Sequence, residues 1–159
     1  GAGARVVGAA RGQATLDLPK EVAADVVVDY GEPGWAERVR EATGGGPDLV
    51  FDGVGGTIGR QAFEVTARGG RFSVHGASSG AATAIDDAEA RRRGVTVIGI
   101  EQLFGFQAVS VDRATRALAE AAAGRLRPTV GRTFPLELAS SAHAAMEARE
   151  VLGKTLLVL

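Results

Sequence analysis

Three groups of residues in this 159-residue sequence have types and spacings that could carry chemistry. The first is Gly53-Val54-Gly55-Gly56-Thr57-Ile58-Gly59, which follows an apolar run and opens a helical pattern. Glycines at such a place let backbone amides approach a phosphate at a helix N-terminus. The spacing departs from G-x-G-x-x-G by one residue in its last interval, and a tight strand-to-helix turn accounts for the same glycines. The second is Gly76-Ala77-Ser78-Ser79-Gly80, a literal G-x-S-x-G, with Asp112 and His143 following in the order of a hydrolase triad. A nucleophile elbow needs a helix immediately after its serine, and Ala81-Ala82-Thr83-Ala84 offers neither a cap nor an amphipathic run. Read instead as a loop past the carboxyl end of a parallel strand, the segment suits ligand contact through its backbone. The third is the histidine pair, His75 and His143. Two imidazoles without a matching acid cluster make a poor metal site. Structural roles are expected for both, with packing among alanines for His143.

Bulk properties exclude several classes. Lys+Arg 18 against Asp+Glu 19 gives a net charge of −1, which is no footprint for nucleic acid or an anionic membrane. Cysteine is absent, so neither disulfides nor thiolate metal ligands are possible within the chain. No apolar run approaches the length of a membrane span and no signal peptide is recognisable, so a cytoplasmic location is the default. The chain opens on Gly1 and its only methionine is Met146, which suggests that residues precede Gly1.

The elements that must position these groups alternate between short apolar strands and amphipathic stretches, the pattern of βαβ units on a parallel sheet. Strands are expected at Arg5–Ala10, Val26–Asp29, Asp48–Asp52, Arg71–His75 and Val95–Ile100. Helices are expected over Asp17–Ala24, Trp35–Ala42, Gly56 to about Ala67, from Asp86-Asp87 to Gly94, and over Asp112–Ala123, the last with an alanine core stripe. The rhythm changes near Pro128. Beyond it come a strand near Arg132–Phe134, a helix over Leu138–Arg149 and a closing strand Thr155–Leu159. Two regions follow, 1–127 and 128–159.

Taken in order, ADVVVDY (Ala24–Tyr30), GGGPDLVFDGVGG (Gly44–Gly56), RGGRFSVHGASSG (Arg68–Gly80), RRRGVTVIGI (Arg91–Ile100) and GRTFPLELASSAHAAMEAREVLGKTLLVL (Gly131–Leu159) resemble the medium-chain dehydrogenase/reductase superfamily. The likeness is to its quinone oxidoreductase, zinc-binding dehydrogenase-like branch. The resemblance implies an α/β fold: a doubly wound parallel (Rossmann) sheet without its first strand and glycine-loop helix. A C-terminal β-α-β segment from about Pro128 would belong to a GroES-like catalytic domain. It also implies hydride transfer from NADPH, with NADH possible, to a quinone, enone or similar conjugated substrate, without a metal in this chain. A homodimer would form through the Val95–Ile100 edge. The rival readings are a serine hydrolase using Ser78 and a non-catalytic dimerising fragment.

Carried over by position, the resemblance places Tyr30 against the adenosine ribose phosphate and Arg149 near a 2′-phosphate. Arg11 would add a charge-assisted contact there. Gly53, Val54 and Gly55 would border the cofactor crevice. Gly76, Ala77 and Ser78 would lie near the nicotinamide through their backbone, and Lys154 matches a lysine of the closing strand. No catalytic acid or base is assigned. Thr15 stands where relatives commonly carry a phosphate-binding lysine, and no acid ends the Arg5–Ala10 strand.

Overall fold

The computed structural model describes residues 3–12, 24–105 and 110–159, apart from the side chains of Leu103 and Phe104. The helix expected over Asp17–Ala24 and Thr15 lie outside the described residues, except that Ala24 itself is not helical. The chain divides into two compact units, Gly1–Gln107 and Ala108–Leu159, so the expected break near Pro128 falls inside the second.

In the first unit, strands β1 (Val7–Ala10) and β2 (Val26–Asp29) pair in parallel, Val7 opposite Val26. Strands β3 (Leu49–Asp52), β4 (Arg71–Val74) and β5 (Thr96–Ile98) form a second parallel sheet in that order. Helix α1 (Trp35–Ala42) follows β2, α2 (Gly56–Val65) follows β3, and α3 (Asp87–Arg93) precedes β5. The connections through α2 and α3 each return the chain to a parallel neighbour, whereas α1 carries it from β2 to a strand of the other sheet. A short helix α4 (Ile100–Phe104) starts where the sequence suggested the strand would still run.

Two apolar clusters hold this unit. Val28, Trp35, Val39 and Val65 are buried together, with Val7, Val26 and Ile58 packed on them. The Trp35 indole N–H donates to Gln61 Oε1 at 2.8 Å, so this buried ring keeps its polar atom satisfied. Phe63 and Phe72 are fully buried and meet edge to face at 5.7 Å. Such a pair adds roughly 1 kcal/mol beyond its area burial. The helix ends follow the residue chemistry. The Asp86 carboxylate accepts from the Glu89 amide at the start of α3. Arg91, Arg92 and Arg93 sit at its negative end, and Gly94 stops it in the left-handed conformation at φ 66°.

Between β1 and β3 lies a cavity of about 560 Å³. Val7 and Ala9 of β1 and Leu49, Val50 and Phe51 of β3 face it, together with Trp35, Ile58 and Val65. Among the described residues, β1 pairs only with β2 and β3 only with β4, so both strands turn an unpaired edge toward this slot. Its mouth leaves Phe51 68% exposed.

The second unit contains α5 (Ser110–Ala122), β6 (Val130–Pro135), a 3-10 turn (Leu136–Leu138), α6 (Ala139–Glu147) and β7 (Lys154–Val158). Strands β6 and β7 are parallel with α6 as the crossover, a β-α-β segment as expected. The register slips between Val130 and Arg132. Gly131 at that slip lies against the Leu152 backbone, where a Cβ would have no room. Phe134, Ala142 and Ala145 form its small core.

Two expectations fail here. His143 is exposed, because the buried face of α6 is set by Ala142 and Ala145 and residue 143 lies one helical step away. No residue of α5 is buried, so its apolar stripe, with Val111 73% and Leu118 71% exposed, does not form a core stripe.

Candidate functional site

The carboxyl ends of the strands in the first unit carry the candidate site. Asp29 ends β2 and its carboxylate ties two loops together. Oδ1 accepts from the Gly31 amide at 2.7 Å and Oδ2 from the Gly12 amide at 3.0 Å. Beside it, the Arg11 guanidinium carbon lies 5.5 Å from the centre of the Tyr30 ring, a cation–π distance. Tyr30 also meets Trp35 edge to face at 6.3 Å. Arg11 and Tyr30, distant in sequence, are thus brought to one place.

Asp52 ends β3 in the same way. Its Oδ1 accepts from the amides of Val54 (2.9 Å) and Gly55 (3.0 Å), holding the turn that opens α2. Gly55 adopts φ 76°, and a Cβ there would strike the Ala81 carbonyl oxygen. Only glycine fits this approach. The loop after β4 lies alongside: Ser78 N–H donates to Gly53 O at 3.3 Å and Ser79 N–H to Val54 O at 2.9 Å. Gly53, Val54, Gly55, Gly76, Ala77 and Ser78 therefore form one surface, with Gly53, Ala77 and Ser78 exposed.

This geometry removes the hydrolase alternative. No helix follows Ser78 until Asp87, and the Ser78 and Ser79 amides are spent on Gly53 and Val54 rather than aimed at an oxyanion. His75 is exposed beside Phe51, its ring 5.1 Å away, and its Nε2 lies 3.0 Å from Ser73 Oγ.

Arg149 and Lys154 belong to the second unit, and both are exposed. Arg149 holds a left-handed φ of 57° just past α6, and Glu150 N–H reaches back to Ala145 O at 3.0 Å. That is the arrangement with which a helix stops, normally at glycine. Asp52 and Asp29 escaped the sequence reading: each looks like the polar end of a strand. An Asp at a strand end with a glycine one or two residues on was the available signal, since such a carboxylate caps the following amides.

Parallel βαβ units whose glycine turns gather at the strand ends define a Rossmann-like nucleotide-binding class. The chain belongs to the zinc-binding dehydrogenase family, whose pattern matches residues 22–157. It is 29% identical over 161 residues to a 2-haloacrylate reductase of a Burkholderia species, covering 98% of this chain and 48% of that protein. It is 29% identical over 163 residues to quinone oxidoreductase-like protein 2 of Bos taurus, covering 98% and 46%. The native structure of a mycobacterial protein complexed with NADPH superimposes with a TM-score of 0.84 at 32% identity, covering 98% of this chain and 49% of that one. The chain spans about half the length of these relatives.

The family name raises the question of zinc. The sequence has no cysteine, and among the described residues no three His, Asp or Glu side chains gather as a metal site. The described residues assemble no zinc site. Among the described residues, no helix is long and apolar enough to cross a membrane.

Proposed function

We propose that the chain is the C-terminal part of an NADPH-dependent oxidoreductase acting on an electron-poor double bond, in a quinone, an enone or a similarly conjugated acceptor. The observation that carries this reading is the slot between β1 and β3. Among the described residues two parallel strands offer unpaired edges to it, and the turn held by Asp52 stands at its carboxyl end. In a doubly wound sheet a ligand binds outside the carboxyl ends of such strands. A central strand with its own glycine loop would close the sheet and supply the pyrophosphate contacts.

NADPH supplies a hydride; the protein binds, orients and excludes water. Tyr30 and Arg11 would receive the adenosine end, and Arg149 the 2′-phosphate. The Gly53–Gly55 turn would border the crevice. Gly76, Ala77 and Ser78 would meet the nicotinamide through backbone atoms, and Lys154 would face the same ligand. NADH is the alternative donor. Support for the acceptor class comes from the names of relatives, a haloacrylate reductase and a quinone oxidoreductase-like protein. Rate acceleration in such a site is mainly proximity. Residues from Pro128 onward would return to a second, substrate-binding domain, and the protein would work in the cytoplasm without nucleic-acid or membrane partners.

The test is a fluorescence titration of NADPH and NADH into the protein that carries this chain together with a strand and glycine loop completing the sheet. Tight NADPH binding with turnover of a simple quinone is expected; absence of binding to both cofactors overturns the reading. Among the described residues β5 is an outer strand, and pairing through it would give a homodimer. Sedimentation should then show a dimer, and a monomer overturns this pairing.

A further inference from the structure

We infer that Asp52 and Thr83 are positioning residues that clamp the Gly53–Gly55 turn and the loop after β4 into one unit. The inference rests on the functional reading above for its consequence, and on geometry for the clamp. Asp52 is 5% exposed. One of its carboxylate oxygens accepts the Val54 and Gly55 amides, and the other accepts the Thr83 hydroxyl at 2.5 Å. A single buried charge thus holds two segments that are 31 positions apart in sequence at its own closest contact. Charge-assisted bonds of this kind are short and about twice as strong as neutral ones.

The backbone repeats the connection. His75 N–H donates to Asp52 O at 2.6 Å, Ser78 N–H to Gly53 O and Ser79 N–H to Val54 O. These bonds secure the first half of the loop. Its far end is secured by Ile85, which packs on the Phe63 and Phe72 core, and by the Asp86 cap. Between them the chain has no regular structure, and Thr83 is the side chain that pins this stretch to the turn. Gly59 makes room for the bond: a Cβ there would collide with both Thr83 Oγ1 and the Asp52 carboxylate. A cofactor-facing turn and a nicotinamide-facing loop held by one carboxylate cannot drift independently, which is the preorganisation that proximity catalysis needs.

Thr83→Val keeps the shape and deletes the hydroxyl; Thr83→Ser keeps the hydroxyl. The test uses the protein that carries this chain with the sheet-completing segment. Amide hydrogen exchange should quicken together at Gly55 and Ser79 in Thr83→Val and return to the wild-type rate in Thr83→Ser. NADPH dissociation constants should rise about tenfold in Thr83→Val, the size of one net hydrogen bond, and recover in Thr83→Ser. KM for NADPH should carry the kinetic change with kcat nearly constant, and Thr83→Ser should restore it. Unchanged exchange at either amide overturns the clamp. Coupled exchange with NADPH affinity within twofold of wild type overturns the positioning role. A wild-type protein that binds no NADPH overturns the functional reading and the positioning role with it, while the exchange result still decides the clamp.

Discussion

The sheet β3–β4–β5 and the segment β6–α6–β7 are both parallel arrangements built on α-helical crossovers, yet they bury themselves differently. The first closes around Phe63 and Phe72, which are fully buried, with Ala90, Val95 and the half-buried Val50 and Val97 completing the layer. The second buries Phe134, Ala142 and Ala145 and leaves Leu136, Leu138, Met146, Leu156 and Leu157 exposed. Arg60 and Arg93 both lie 5.4 Å from the Phe63 ring, and Arg60 grips Glu89 with two bonds of 2.7 and 2.6 Å. In the second unit, Arg132 alone lies over the Phe134 ring among the described residues, at 4.7 Å. The second segment, with apolar side chains exposed around a core of three residues, has the surface of an element that another one covers.

The sharpest break of this contrast would come from the two cores. Phe72→Ala should cost about 3–5 kcal/mol, read by urea denaturation, because the fully enclosed ring leaves a cavity that α2 and α3 cannot fill. Phe134→Ala should cost no more than about half as much. Equal losses would mean that the second unit is as tightly built as the first.

Next in size are the glycines. Gly55→Ala should cost at least about 2 kcal/mol, since it adds a steric clash with Ala81 O to the strain of φ 76°. Gly44→Ala has a similar φ of 70° with nothing within 4 Å, and should cost only about 1 kcal/mol. A difference near zero between the two would show that the loop after β4 yields freely, against the clamp.

Arg149→Gly runs the other way. Relieving a left-handed arginine should stabilise the second unit by about 1 kcal/mol in thermal melts. If the guanidinium meets a 2′-phosphate, the same variant should lose its preference for NADPH over NADH. Stability gained without loss of preference would reduce Arg149 to a helix stop.

The smallest effect concerns acid. The Arg60 guanidinium holds the Glu89 carboxyl below its ordinary value of 4.5. The folded state therefore binds a proton there less readily than the unfolded chain. The bridge contributes fully above about pH 4.5 and its contribution is lost as pH falls through the lower folded value. Glu89→Gln should flatten the acid limb of a melting-temperature profile and change the neutral value little, as expected for partly exposed ions.

What could be read from the sequence was what local residues decide. Asp86 and Gly94 bracket α3 as their types require, and the parallel strands fall within one or two residues of the apolar runs. The stacking of Arg11 on Tyr30 was not legible, since the resemblance set each of them against a phosphate rather than against the other. The Asp52–Thr83 bond was hidden because its partners are far apart in sequence, and DLVFD reads as an ordinary strand ending on a polar residue. The burial of α5 failed for a related reason. Periodicity reports which face of a helix is apolar but not whether anything within the same chain covers it.

The flanks of β1 and β3 that no described residue pairs bear on how this polypeptide behaves during synthesis and storage. An exposed Phe51 on such a strand edge is the kind of surface that chaperones bind and that stacks into cross-β assemblies. Expressed with these bounds, the chain should turn turbid and bind thioflavin as its concentration rises. A strand that docks in the slot should suppress both, acting as an intramolecular guard against aggregation before it takes any part in catalysis.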